Sequence, residues 1–238
     1  MKVKIDYYRT MKSQFLLFLL FIASFTSFGQ KKYSFDYALV YDFQLNEKSK
    51  VEQRILLTNS KDNSYFLEVT EKDSLNYTLT FLDRNGYYSK TVVGKSGFFK
   101  AETINAECES VLNYKNPYKY QVENYDYHPL KDTLIDGANY SRYFFKSNNP
   151  KKEKRRRFAT LFFVIENNTT FHQPVLLHST SYEEWKLEKN IPNGIPKLFY
   201  FTSYNTKKIL SKYTLNGYKK IDKYVMLPEG CPKFDFGN

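Results

Sequence analysis

Several residue types are scarce in this chain, and each scarcity narrows the choice of fold and chemistry. Alanine occurs 6 times, against 16 threonines and 44 aromatic residues. Alanine is the best helix former, while Tyr, Phe and Thr suit pleated, half-buried surfaces, so the balance argues against an all-helical bundle. Only 9 glycines are present, little material for phosphate-cradling loops. No G-x-G-x-x-G, G-x-S-x-G or H-E-x-x-H pattern occurs either. The histidines are His128, His172 and His178, and none has a carboxylate at a recognisable metal-ligand spacing. His172 and His178 flank Pro174, which interrupts a strand that would place both on one side. The two cysteines, Cys108 and Cys231, have no close Cys or His neighbour, which removes a zinc-site reading. No cofactor is implied, and no catalytic motif supports an enzyme.

Long apolar runs are equally scarce. One exists, Phe15 to Ala23, preceded by Lys2, Lys4, Arg9 and Lys12 and followed by Ser27-Phe28-Gly29. A charged start, a short apolar core and a small-x-small site describe a secretory signal peptide, residues 1–29, cut before Gln30. The run is shorter than the ~20 residues a spanning helix needs. Met11 is an alternative start. With residues 1–29 removed, 32 basic and 24 acidic residues remain, a net charge of +8. Residues 30–238 show no composition shift and read as one β-rich domain, large enough to bury roughly 70% of its unfolded surface. Export also makes a Cys108–Cys231 disulfide plausible, because oxidising compartments favour paired cysteines.

What is abundant is alternation. Tyr33, Phe35, Tyr37, Leu39, Tyr41 and Phe43 recur at every second position, the period of a strand with one buried face. Strand-like segments follow at Val51–Thr58, Tyr65–Val69, Leu75–Phe81 and Tyr87–Val93, with Asn85-Gly86 as a hairpin signal. Closely spaced sequential strands imply an antiparallel meander. Further strands are expected at Tyr120–Tyr127, Thr133–Ile135, Asn139–Phe145, Ala159–Glu166, Leu198–Tyr204 and Lys208–Met226. Thr103–Leu112 reads as a short helix and Ser181–Lys186 as a helical turn. Rings on both faces of Leu198–Tyr204 imply burial on two sides or a ligand-facing inner surface. The expected fold is mainly β: an antiparallel meander forming a curved or half-open barrel-like sheet with one or two short helices.

Two features carry functional expectations. The run Lys151, Lys152, Glu153, Lys154, Arg155, Arg156, Arg157 is either a solvated hairpin tip or a site for anionic envelope groups such as lipid headgroups. The stripe Tyr33, Phe35, Tyr37, Leu39, Tyr41 is either ordinary core or the lining of a concave, ligand-binding face. Nucleic acid is not an expected partner: Lys207, Lys208, Tyr213, Tyr218, Lys219, Lys220 and Tyr224 interleave cations with rings, but so does any edge of a Tyr- and Lys-rich sheet.

The segment Ile135-Asp136-Gly137-Ala138-Asn139-Tyr140-Ser141-Arg142-Tyr143 and the loop Ile191-Pro192-Asn193-Gly194-Ile195-Pro196 resemble exported bacterial β-proteins. Those are the proteins related to the outer-membrane lipoprotein carriers, including the GLPGLI type. The resemblance implies an antiparallel half-barrel around a helical lid. Together the features suggest an exported, non-enzymatic envelope protein that binds or carries an apolar or amphipathic ligand. A structural or surface-interaction protein without a small-molecule ligand, and a secreted hydrolase without a recognisable motif, are the alternatives.

Overall fold

The computed structural model describes residues 30–228, with residues 230, 231, 235 and 236 beyond them. The expected signal segment lies outside the described residues. The period-2 stripe forms β1 (Lys31–Gln44), in which every second side chain from Tyr33 to Phe43 is buried. A meander continues through β2 (Val51–Asn59), β3 (Asp62–Glu71), β4 (Asn76–Asp83) and β5 (Tyr87–Gly94), each pairing antiparallel with its predecessor. The Asn85-Gly86 turn lies where expected, but neither residue takes a positive φ. The loop is instead closed by Gly86 N donating to Asp83 O at 3.2 Å and by Asp83 Oδ1 accepting from Asn85 N.

A second meander builds the other half: β8 (Tyr125–Ile135), β9 (Ala138–Ser147), β10 (Thr160–Glu166), β11 (Pro196–Thr202) and β12 (Ile209–Leu227). The β8–β9 turn, Asp136-Gly137, has φ of 50° and 81°, the left-handed pair that a two-residue hairpin demands. The two meanders join where β12 pairs antiparallel with β1, with Lys31 opposite Leu227 and Gln44 opposite Lys212. The order is β13-β7-β5-β4-β3-β2-β1-β12-β11-β10-β9-β8, and the sheet does not close. Short strands β6 (Thr103–Asn105), beside β12, and β7 (Val111–Tyr114) and β13 (Asp235–Phe236), at the far edge, complete it.

Two expectations are corrected in the middle of the chain. Thr103–Leu112 is not a helix but β6, a 3-10 turn at Cys108–Ser110 and the start of β7. Ile104 and Ala106 are buried between exposed neighbours, a period of 2, and parallel pairing with β12 overrides local helix preference. Tyr120–Tyr127 is not one strand: Lys119–Asn124 is a 3-10 turn, and β8 runs unbroken from Tyr125 through the expected separate strand at Thr133–Ile135. Three short α-helices occur among the described residues: α1 (Lys95–Lys100), α2 (Pro150–Arg156) and α3 (Ser179–Glu188). The last contains the helical turn expected at Ser181–Lys186.

One face of the sheet is covered in two parts. The segment between β10 and β11, including α3, lies over β1, β2 and β8–β12 and closes a core around Tyr37, Leu39, Tyr41, Trp185 and Phe199. The segment around α1, β6 and β7 closes a second core with Tyr33, Phe35, Leu67, Phe81 and Cys231. Cys108 and Cys231 are disulfide-bonded, with Cα atoms 5.4 Å apart, tying the end of the chain to this second cover. The opposite face of β8–β12 is left open.

Candidate functional site

On the covered face the β1 side chains are buried among the described residues. Tyr33, Phe35, Tyr37, Leu39 and Tyr41 are 0–6% exposed, so the stripe stands in the structure as core. The covering loop is tied down by polar contacts. Thr58 Oγ1 and His172 Nε2 lie 2.8 Å apart, and Gln173 Nε2 donates to Lys61 O at 2.7 Å. Asn63 Nδ2 donates to Pro174 O at 2.9 Å. Arg84, 2% exposed, donates from Nη1 to Asn63 O and from Nη2 to Leu176 O. Burial pushes its guanidinium pKa down to about 10. Between this loop and the strands a gap of about 10 Å³ remains, room for one water at most. The loop before β11 also fits closely: Gly194 has φ +150°, and a Cβ there would lie 2.5 Å from Ile165 Cγ2.

The open face is different. Antiparallel register places His128 opposite Phe144, Phe144 opposite Phe162, Phe162 opposite Tyr200 and Tyr200 opposite Lys212. Four strands therefore carry an aromatic row that the fifth ends with a cation. Neighbouring rings meet along the row: His128 stacks on Phe144 at 4.8 Å, Phe144 and Phe162 lie 5.9 Å apart with planes tilted by 42°, and Phe162 stacks on Tyr200 at 4.9 Å with planes 7° apart. Ring planes that face each other across strands ~4.8 Å apart must stand upright on the sheet. The row is half-buried rather than covered.

At the Tyr200 end lies a groove of about 850 Å³. Phe162, Leu198 and Tyr200 line it from the strands, Tyr204, Lys207 and Ile209 from the β11–β12 hairpin, and Lys212 and Glu153 from either side. That volume falls within the range of small-molecule sites, and a mainly apolar wall with a few polar groups is their usual composition.

The basic run borders this groove through α2. The expected hairpin tip is a short helix between β9 and β10. Asn149 caps it by accepting from Lys152 N at 2.9 Å, Pro150 opens it, and Arg157 ends it in the left-handed conformation. Glu153 lines the groove, and Arg156, one helical turn on, shares its side of α2. Lys151, Lys154, Arg155, Arg156 and Arg157 are exposed or nearly so, and Lys152 is half-buried. Among the described residues, ion pairs join Lys31 to Asp83, Arg54 to Glu52 and Glu68, and Lys95 to Glu71, so none of these six cations is engaged in one. The structure thus brings the basic run next to an apolar site, but on the face opposite the β1 stripe.

Of the groove residues, Leu198, Tyr200, Thr202, Ser203 and Tyr204 stood in the segment noted for rings on both faces, and Thr160 and Phe162 in the expected strand Ala159–Glu166. The alignment of His128, Phe144, Phe162 and Tyr200 depends on strand register between residues far apart in sequence, for which no local signal exists. Among the described residues no group of three or more metal-ligating side chains is present, and no helix is long and apolar enough to cross a membrane.

The molecule is therefore an open, lidded antiparallel sheet with a ligand-sized groove on its uncovered side. No known protein family and no curated protein sequence matches the chain. Solved structures do. MucB, in the MucA/MucB complex of Pseudomonas aeruginosa, is similar over 78% of this chain and 51% of its own, with 6% identity and a TM-score of 0.41. This chain thus spans about half the length of MucB. A LolA superfamily protein of Nitrosomonas europaea is similar over 79% of this chain and 86% of its own, with 10% identity and a TM-score of 0.28. A putative outer membrane lipoprotein-sorting protein domain of Vibrio parahaemolyticus gives 87% and 89%, 8% identity and a TM-score of 0.28. Names of the lipoprotein-sorting class, which residues 135–143 and 191–196 resemble, thus occur among the structural neighbours.

Proposed function

We propose that this chain is an exported, non-enzymatic protein of the cell envelope that binds an apolar or amphipathic molecule in the open-face groove. The observation that carries the reading is the groove itself, about 850 Å³ with Phe162, Leu198, Tyr200 and Ile209 in its wall. The β1 stripe, the other candidate face, is buried in the two cores, which leaves the groove as the more accessible apolar surface. A groove between sheet and hairpin needs no lid movement to admit an alkyl chain, whereas the core around Tyr41 does.

The test is titration with dodecyl maltoside, a neutral single-chain amphiphile, below its micellar concentration, read by calorimetry. The parent protein binds it at one site. Phe162→Ser combined with Tyr200→Ser, both on the half-buried open face, weakens binding by about tenfold or more while circular dichroism is retained. Undiminished binding by a folded double variant would show that the amphiphile sits elsewhere.

A further inference from the structure

Resting on that reading, we infer that the groove selects an amphiphile with an anionic headgroup of the phosphate class, held by Lys207, Lys212 and the cations of α2. The distribution of charge is the first support. The six cations of residues 151–157, with Lys207, Lys208 and Lys212, stand against Glu153 alone, giving this corner +8. The remaining residues from position 30 onward carry 23 charges of each sign. Of the cations in this corner, Lys207 and Lys212 line the groove directly, and α2 reaches it through Glu153. Opposite charge arranged around a partly desolvated wall attracts and orients an anion, and the effect weakens with salt.

Position supplies the second support. Lys212 closes the aromatic row in register with Tyr200, and Lys207 stands in the hairpin turn, so both line the groove itself. Their ammonium groups border the apolar wall instead of replacing it. A ligand with its tail against Phe162 and Leu198 leaves its head between these lysines and Arg156 of α2.

The ring geometry separates this ligand from other polyanions. Single-stranded nucleic acid binds by stacking its bases on free aromatic faces. In the row here His128 stacks on Phe144 and Phe162 on Tyr200, the second pair only 7° from parallel, so each of these rings already turns a face to its neighbour. Upright ring edges make a ridged surface that suits a flexible alkyl chain better than a flat base.

The experiment compares three probes of equal chain length, dodecyl phosphate, dodecylphosphocholine and dodecyl maltoside, with inorganic phosphate alone and a short single-stranded oligonucleotide. Calorimetry is run below micellar concentration at low and at high salt. Dodecyl phosphate is expected to bind about tenfold more tightly than the zwitterionic and neutral probes, an advantage that shrinks with salt. Inorganic phosphate, lacking a tail, binds far more weakly. In Lys207→Glu/Lys212→Glu, whose side chains lie outside both cores, the ratio between dodecyl phosphate and dodecyl maltoside collapses. Equal affinity for the three heads overturns the inference and leaves the amphiphile groove standing. Failure of every amphiphile to bind overturns both. Tighter binding of the oligonucleotide than of dodecyl phosphate overturns the inference in favour of a nucleic-acid surface.

Discussion

Arg84 is a buried charge that forms no ion pair among the described residues, and replacing it tests how the covering loop is held. Its guanidinium donates to Asn63 O at 2.8 Å and to Leu176 O, and sits 4.5 Å from the Tyr182 ring centroid. Its Nε finds no partner. Burial lowers its pKa from the ordinary guanidinium value to about 10, which corresponds to a cost of about 3 kcal/mol for keeping the charge in the interior. Two charge-assisted hydrogen bonds, roughly 1.5–3 kcal/mol each, offset that cost. The net contribution is therefore small, but the consequence of removal depends on what replaces the side chain. Arg84→Met keeps most of the volume, relieves the desolvation and loses the bonds, and should change stability by only about 1 kcal/mol. Arg84→Ala adds a cavity and two unsatisfied carbonyls, and should destabilise by about 3 kcal/mol, roughly 6–12 °C in melting temperature. Urea unfolding gives both numbers, and hydrogen exchange of residues 172–177 should quicken in both variants. If Arg84→Ala lies within about 1 kcal/mol of the parent, or Arg84→Met costs as much as Arg84→Ala, then desolvation and hydrogen bonding do not offset each other at this site.

Two further perturbations address the same covers. Burial pushes the His172 pKa below the ordinary imidazole value, so the unfolded chain takes up this proton first as pH falls. Stability from this group is complete above about pH 6.5 and declines below it, and His172→Gln should flatten the stability slope between about pH 7 and 5. An unchanged slope in a urea series would remove His172 from the linkage. The Cys108–Cys231 bridge spans a sequence separation of 123, which in the chain-entropy model stabilises by about 5 kcal/mol. Cys108→Ser with Cys231→Ser should lower the melting temperature by roughly 10–20 °C, whereas a loss under about 1 kcal/mol would show that the bridge constrains little of the unfolded chain.

The sheet was legible wherever one face is buried and the other wet. From Tyr33 to Phe43, and through β3 and β4, burial follows the alternation residue by residue. Residues 95–124 were not legible, because their structure is dictated by partners far away. β6 exists through β12, and the turn at Cys108 is held by Cys231. The basic run was visible as charge, and its cap signals, Asn149 and Pro150, were present but short of a helical pattern. What the charge serves was hidden, since Lys212 and Tyr200 meet the run only through the pairing of β11 with β12. The β1 stripe shows the converse: its residues were found at once, and their alternative as core is the one the structure adopts.

The pairing of β1 with β12 also fixes an order of events for the chain. The meander β1–β5 is local and can assemble as soon as it emerges, leaving one edge of β1 without a partner. That edge waits for Lys212–Leu227, which lie far along the chain. Until then it is a long, aromatic strand with unpaired backbone groups, the kind of edge that pairs with other chains. Non-local closure of this sort is slow. A truncation before β12 would therefore do more than shorten the protein. It would release an adhesive half-sheet, and β12 works as the stopper that makes the folded chain a discrete molecule.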